Sequence, residues 1–461
     1  MTDAMTTTDA APTTRRRLPL VALLTAQLVS LAGNAVTVIA VPLYVLHITG
    51  SAVATGVAGV FATVPIIVGG ALGGVIVDRF GFRVSSIVAD VVSGLTVLAI
   101  PVLAATVGLP FWALLLLVFV SGLFDTPGDS ARASLVPDLA RLGAVPITRA
   151  AGAQSAIERS ARLLGAAVAG GLVVLVGPLG ALFIDAGTFA LSALIVTLFV
   201  PRPGRAGAAP RPSGSTAGGE AGATSGTSGT SGTRGSGAGA GDGAGSRHPE
   251  SYRAGLAAGF RFLWGNRLIR AVVLLVTLTN AIDVAGMTVL KPVYATTVLG
   301  DPATLGALIA CFAGGALVGS VVFAGIGHRL AGRGLFVACF AVAGVLPYAS
   351  MALMIPFLAL LAVMIVSGFA AGAINPMIST VMYGTIPEAM RARVFGATSA
   401  GVAATMPLGA LVAGLAVEAF GLQATLVGAA VLYGCLTLTP LFDRSFHGLS
   451  AARLDTAGAG T

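Results

Sequence analysis

Apolar runs of bilayer-spanning length recur along almost the whole chain, and that recurrence leaves few folds open. They fall at residues 18–46, 52–77, 84–107, 110–134, 149–176 and 179–200, then resume near 268 and continue to about 443. About 20 apolar residues cross a bilayer as a helix. In lipid the backbone must satisfy its own hydrogen bonds, so such runs are helical, and they lack the alternation of barrel strands. The chain is 56% hydrophobic and only 10% charged, against about a quarter charged in soluble domains. The expectation is an all-α membrane protein with twelve transmembrane helices.

The breaks between runs carry charge alternately. Arg15, Arg16 and Arg17 precede the first run, and every second break then carries arginine: Arg79 and Arg83, Arg141 and Arg149, Arg202 to Arg270, Arg329 and Arg333, Arg391 and Arg393, Arg444 and Arg453. The breaks around Gly50, Gly108, Gly177, Gly300, Pro356 and Gly421 carry none. That is the positive-inside pattern, with both termini cytoplasmic in a multi-pass protein of the cell membrane. Topology therefore explains the net charge of +8, and no nucleic-acid partner is implied. The first run is long and leads into further spans, so it reads as an uncleaved helix. Cys311, Cys339 and Cys435 all lie in apolar runs, where buried small side chains are expected and neither a disulfide framework nor a metal site is implied.

The chain divides into a tail (1–17), a six-helix unit (18–202), a linker (203–266), a second six-helix unit (267–443) and a tail (444–461). Residues 203–249 are rich in Gly, Ala, Ser and Thr, which reads as a flexible linker. Leu256, Phe260 and Leu263 among Arg253 and Arg261 then suit an interfacial helix over 252–264. The two units repeat one another. Pro42-Leu-Tyr44 through Gly50 returns as Pro292-Val-Tyr294 through Gly300, and Gly69-Gly-Ala-Leu-Gly-Gly74 as Gly314-Gly-Ala-Leu-Val-Gly319. Ser121-Gly122, Pro127 and Pro137-Asp138 have looser counterparts in Ser367-Gly368, Pro376 and Pro387-Glu388. Two pseudo-symmetric bundles with a substrate site at their interface are a known transporter plan. Nothing in it calls for more than a monomer.

Between the second and third runs the sequence reads Gly74-Val-Ile-Val-Asp78-Arg79-Phe-Gly81-Phe-Arg83. This G-x-x-x-D-R-x-G-x-R turn, the repeat and the central loop together resemble the major facilitator superfamily over essentially the whole chain outside the tails and linker. Phe124-Asp-Thr-Pro127, Ile184-Asp185-Ala-Gly-Thr-Phe189 and Arg391-Ala-Arg393-Val-Phe-Gly396 resemble its enterobactin-exporter and macrolide-efflux branch. The resemblance implies alternating access and, in this branch, export usually driven by protons. It also implies a cytoplasmic gate in which Asp78 meets the amino-terminal dipole of the helix beginning near Arg393. The competing reading is a basic turn that only sets topology, with Gly81 supplying backbone freedom. The second-half counterpart, Gly327-His328-Arg329-Leu-Ala-Gly332-Arg333, keeps the arginines and lacks the acid. Two departures weaken the case for proton antiport: the fourth helix has no arginine at its middle, and the fifth has no Gly-Pro pair.

Within the spans, Asn280, Asp283, Met287 and Lys291 are spaced by three, four and four residues, which puts them on one helix face. Ionisable groups inside a membrane are expensive and usually face a cavity. Asp283 is thus a candidate proton or cation site, and Lys291, the only lysine, its partner or an anion contact. Lys291 could equally snorkel to the outer interface. Gln27 and Asn34 share a face of the first helix and, with Asn375, could hydrogen-bond a substrate or glue helices together. Asp125, Glu158, Arg159 and Arg162 are expected at the inner membrane boundary, because the apolar runs beside them are short. Glu158 and Arg162 stand four apart in the favourable order. With Arg132 they form a candidate relay or gate, or merely a solvated helix end.

An ATP-driven pump is disfavoured, since the single lysine is in no phosphate-binding loop. A membrane enzyme is disfavoured too, because His47, His248, His328 and His447 lie at loops or ends. No cofactor is implied. The function expected is secondary active export of small amphipathic molecules in exchange for protons across the lipid bilayer. Metabolite or lipid uptake, or a non-transporting receptor of the same fold, are the alternatives.

Overall fold

The structure, a computed structural model, describes residues 17–202, 259–330 and 332–442. The two tails and residues 203–258 lie outside them, and with them most of the expected interfacial helix; its end, 259–265, is helical. Helices α1 to α4 span Leu18–Thr49, Ala52–Phe80, Phe82–Thr106 and Phe111–Leu142. A continuous run, Ile147–Phe199, is broken at Gly177, where φ is 75°. Only glycine takes that value without strain, so the chain turns there and divides into α5 (147–176) and α6 (178–199). The second half comprises α7 (Arg267–Thr297), α8 (Ala303–Leu330), α9 (Arg333–Ala352), α10 (Phe357–Thr385), α11 (Glu388–Phe420) and α12 (Leu422–Phe442). Among the described residues eleven helices are long and apolar enough to cross a membrane, and α5 completes the twelve-helix fold.

One helix boundary and one burial differ from the sequence reading in ways that matter. Helix α4 runs past residue 134 to Leu142 because Leu135, Val136, Leu139 and Ala140 bury against Leu20, Leu23, Leu24 and Ala26 of α1 and Ala150 of α5. The apolar face thus continues after the hydrophobic run has ended. Asp125 is consequently in mid-helix, ~21 Å from the Phe111 end at 1.5 Å per residue, and not at a helix terminus. Arg132 is likewise within α4. Cys435 is exposed while Cys339 is buried and Cys311 is partly so, and all three are free thiols; on the lipid-facing side of α12 a cysteine serves as a small apolar residue.

Helices α7 and α9 each contain one π turn, at Gly286–Leu290 and Ala341–Val345. In both, a proline follows two residues after the turn, Pro292 and Pro347. A proline ring collides with the carbonyl four residues back, here that of Thr288 or Ala343, inside the π turn. Widening the helix there relieves the collision.

The halves meet through α2 on α11 and α5 on α8. Small residues allow it. A Cβ on Gly56 would lie 2.6 Å from the Ala410 carbonyl oxygen, and one on Gly414 2.7 Å from that of Ala52. Gly170 and Gly306 touch through their backbones. These approaches lie toward the ends of the helices where the breaks carry no arginine, and they use the small-residue packing by which membrane helices associate.

Candidate functional site

A cavity of about 370 Å³ opens in the second half, lined from α7, α8, α9, α10 and α12. It brings together Asn280, Asp283, Met287 and Lys291 with Asn375 of α10. Asp283 is exposed although helices surround it, because its carboxyl faces this space. Lys291 lines the same space, its Nζ 5.4 Å from the centroid of the Phe312 ring. The Asn280 amide instead donates to the carbonyl of Val276, 2.8 Å away. The π turn lies between Asp283 and Lys291, and its one extra residue per turn cuts the rotation between them, bringing the two charges toward one azimuth. No direct salt bridge joins them among the described residues. The cavity lies wholly within the second half. It is not at the seam between halves expected of the repeat.

Two tyrosines complete the wall. Tyr348 donates a hydrogen bond of 3.0 Å to the carbonyl of Ile282, beside the π turn, and so ties α9 to the backbone next to Asp283. Tyr433 of α12 reaches the Asp283 carboxyl. Each ring is seated over a glycine in a π turn: a Cβ on Gly286 would overlap the Tyr348 hydroxyl, and one on Gly344 the Tyr433 ring. The sequence reading missed both tyrosines, since neither lies on the polar face of α7. Their signal was the Leu346-Pro347-Tyr348 echo of Lys291-Pro292-Val-Tyr294 and the isolated Tyr433 in an apolar run.

The first half holds a different constellation. Arg132, 1% exposed, pairs with Asp90 at 2.7 Å and with Asp129 at 2.9 Å. Ser192 donates to Asp90 at 2.7 Å and Ser30 at 3.3 Å. Asp125 accepts from Ser93 at 2.5 Å. Asp185, fully buried, accepts from Thr37 of α1 and from Thr188. Asp90 and Asp185 were legible as lone acids inside apolar runs, the general mark of a constrained intramembrane charge. Gln27 and Glu158, taken from separate arguments in the sequence, meet here: Glu158 accepts from Gln27 at 3.4 Å and from Gln154 at 3.2 Å. Asn34 is half-buried on α1. The side chains of Arg159 and Arg162 lie outside the described residues.

In the gate motif, Arg83 is buried and donates to the carbonyls of Val200 (2.7 Å) and Thr197 (2.6 Å) at the end of α6. It therefore caps a helix carboxyl end within its own half. Arg79 is exposed with its guanidinium 5.8 Å over Phe80, and Arg393 is exposed at the start of α11. The turn itself fits the motif: Gly81 has φ of 81°, and helix α2 includes Gly74. The Asp78 side chain lies outside the described residues. Among the described residues no group of three His, Cys, Asp or Glu is arranged to hold a metal ion.

A twelve-helix fold with a charged pocket deep between its spans defines a multi-pass membrane transporter of the cell membrane. The family model for the Major Facilitator Superfamily matches residues 23–300 and 273–450, and the chain belongs to that family. It is similar to the multidrug efflux pump Tap of Mycolicibacterium fortuitum, 27% identical over 416 residues that make up 90% of this chain and 92% of that protein. With the multidrug efflux pump Tap of Mycobacterium tuberculosis H37Rv it shares 28% over 434 residues, 92% and 93% of the two chains. Among solved structures, the nucleoside transporter NupG superposes with a TM-score of 0.68 at 13% identity over 93% of this chain and 98% of that one. A bacterial homolog of the human lysosomal transporter Spinster gives 0.64 at 14% identity, over 95% and 99%. The efflux relatives agree with the branch that the sequence resembles.

Proposed function

We propose that this transporter is a proton-driven exporter of small amphipathic molecules, working by alternating access, with Asp283 as the group that carries the proton. The observation behind the reading is the lone carboxylate of the second-half cavity, open to that space and facing Lys291 and Tyr433. Proton and cationic substrate compete for one carboxylate, and that competition couples their opposite movements. The apolar walls supplied by Met287, Phe312 and Phe340 suit an amphipathic molecule. The similarity to multidrug efflux pumps supports the outward direction. Arginine-bearing breaks and both termini are then cytoplasmic, the conformation is closed on the outside, and Asp78 serves the opposite, cytoplasmic gate.

The test is transport of ethidium in proteoliposomes under an imposed pH gradient. Wild type should move ethidium with the gradient and Asp283→Asn should not. Flux in wild type that ignores the gradient would refute proton coupling; gradient-driven flux that survives in Asp283→Asn would remove Asp283 from the mechanism.

A further inference from the structure

Helix α2 begins with an incomplete cap of its own. Ser51, the N-cap, accepts from the Ala54 amide at 3.0 Å, but the first turn contains no acidic residue to serve the remaining amides or the positive end of the helix dipole. The missing acid comes from the other half of the protein. Glu418, three residues before Gly421 ends α11, accepts from the Ser51 hydroxyl and from the Val53 amide, the latter at 3.0 Å, through the same Oε1. One hydroxyl and one carboxylate therefore form a reciprocal cap of the capping-box kind, with its two members 367 residues apart. The cap sits directly above the Ala52/Gly414 and Gly56/Ala410 contacts, where the backbones of α2 and α11 touch.

We infer that Glu418 is a gating residue: it latches the start of α2 to the end of α11 and holds shut the end of the transporter where the breaks carry no arginine. The bond crosses the seam between halves, so it must break whenever that end opens. The inference rests on the alternating-access reading above. It gives α2 and α11 a carboxylate clasp at the end opposite the Asp78 turn, with the roles of the two helices exchanged. The contact is exposed, which suits a latch, because water can replace the carboxylate as the cap lets go. The other seam between halves, α5 on α8, brings Gly170 against Gly306 and packs Ala169 and Val173 with Leu305 and Ile309.

The test measures the opening of that end directly. Spin labels are placed at Val107→Cys and Leu353→Cys, exposed residues at that end of each half (80% and 76%), with Cys311, Cys339 and Cys435 replaced by alanine. Pulsed electron resonance in liposomes reads the fraction of molecules at the longer distance. Loss of an N-cap partner shifts a helix equilibrium by about twofold to thirtyfold, so Glu418→Ala should multiply the open-to-closed ratio by a factor in that range. Ser51→Ala, which leaves the Val53 contact, should give a smaller increase. An unchanged distance distribution in Glu418→Ala overturns the latch. Gradient-driven ethidium flux by the wild type, measured in the same liposomes, separates that failure from a failure of the transport reading itself.

Discussion

The buried ion pair of the first half yields a prediction that separates architecture from chemistry. Replacing Asp90 by alanine leaves the Arg132 guanidinium, 1% exposed, with Asp129 and a 3.4 Å contact to Ser30 as its remaining hydrogen-bond partners among the described residues. Breaking a buried pair from one side costs about 3–5 kcal/mol, because the surviving charge stays desolvated. Asp129 remains and is itself 42% exposed, which places the expected cost at the low end, near ~3 kcal/mol. For a cooperative unit the size of the first six helices this is a fall in melting temperature of roughly 6–12 °C. Removing both charges, as Asp90→Leu with Arg132→Met, deletes the desolvation cost along with the attraction and should recover most of that loss. What remains is about 1 kcal/mol for each serine hydroxyl stripped of its partner, less wherever Ser30 or Ser192 turns back to a carbonyl of its own helix. The assay is thermal unfolding of the purified protein in detergent, followed by ethidium transport in liposomes. If the network is structural, the double variant melts above the single variant and still transports. A double variant that melts at or below Asp90→Ala would refute the unpaired-charge argument. One that is stable but inactive would make Asp90 and Arg132 part of the proton path.

Gly344→Ala would drive a methyl into the Tyr433 ring; overpacking of this kind costs about 1–3 kcal/mol, and here it should also displace Tyr433 from Asp283. Ethidium KM should rise more than the melting temperature falls would explain, and Gly344→Ala combined with Tyr433→Ala should restore stability without restoring transport. Asp78→Asn should abolish ethidium transport while leaving expression at the wild-type level; near-normal efflux would sink the gate assignment. Arg83→Ala, which uncaps the carbonyls of Thr197 and Val200, should lower the melting temperature by several degrees, as expected for about 1–3 kcal/mol, whether or not transport survives.

Much of this architecture was legible because lipid removes choices. Twelve spans, their grouping into repeated halves and the polar face of α7 all follow from length, charge alternation and spacing. Asp283 and Lys291 do share a cavity, although the π turn that brings them toward one azimuth could not be read from helical spacing. Its sequence trace is the proline two residues beyond, an offset that recurs in α9. What stayed hidden depended on contacts between distant segments. Gln27 meets Glu158 across 131 residues, and Glu418 caps a helix that begins at Ala52. Neither pairing leaves a periodic mark, because each requires the helices to be packed first. The extension of α4 from residue 134 to Leu142 was hidden for the same reason: charged positions on its exposed side masked a buried stripe that packing against α1 and α5 completes.

Proton coupling through Asp283 is tested most directly without any imposed gradient. Ethidium added to one side of proteoliposomes loaded with a pH-sensitive dye should drive protons in the opposite direction through the wild-type protein, and Asp283→Asn should abolish that proton movement. Ethidium flux through the wild type with no accompanying change in internal pH would contradict the exchange mechanism outright.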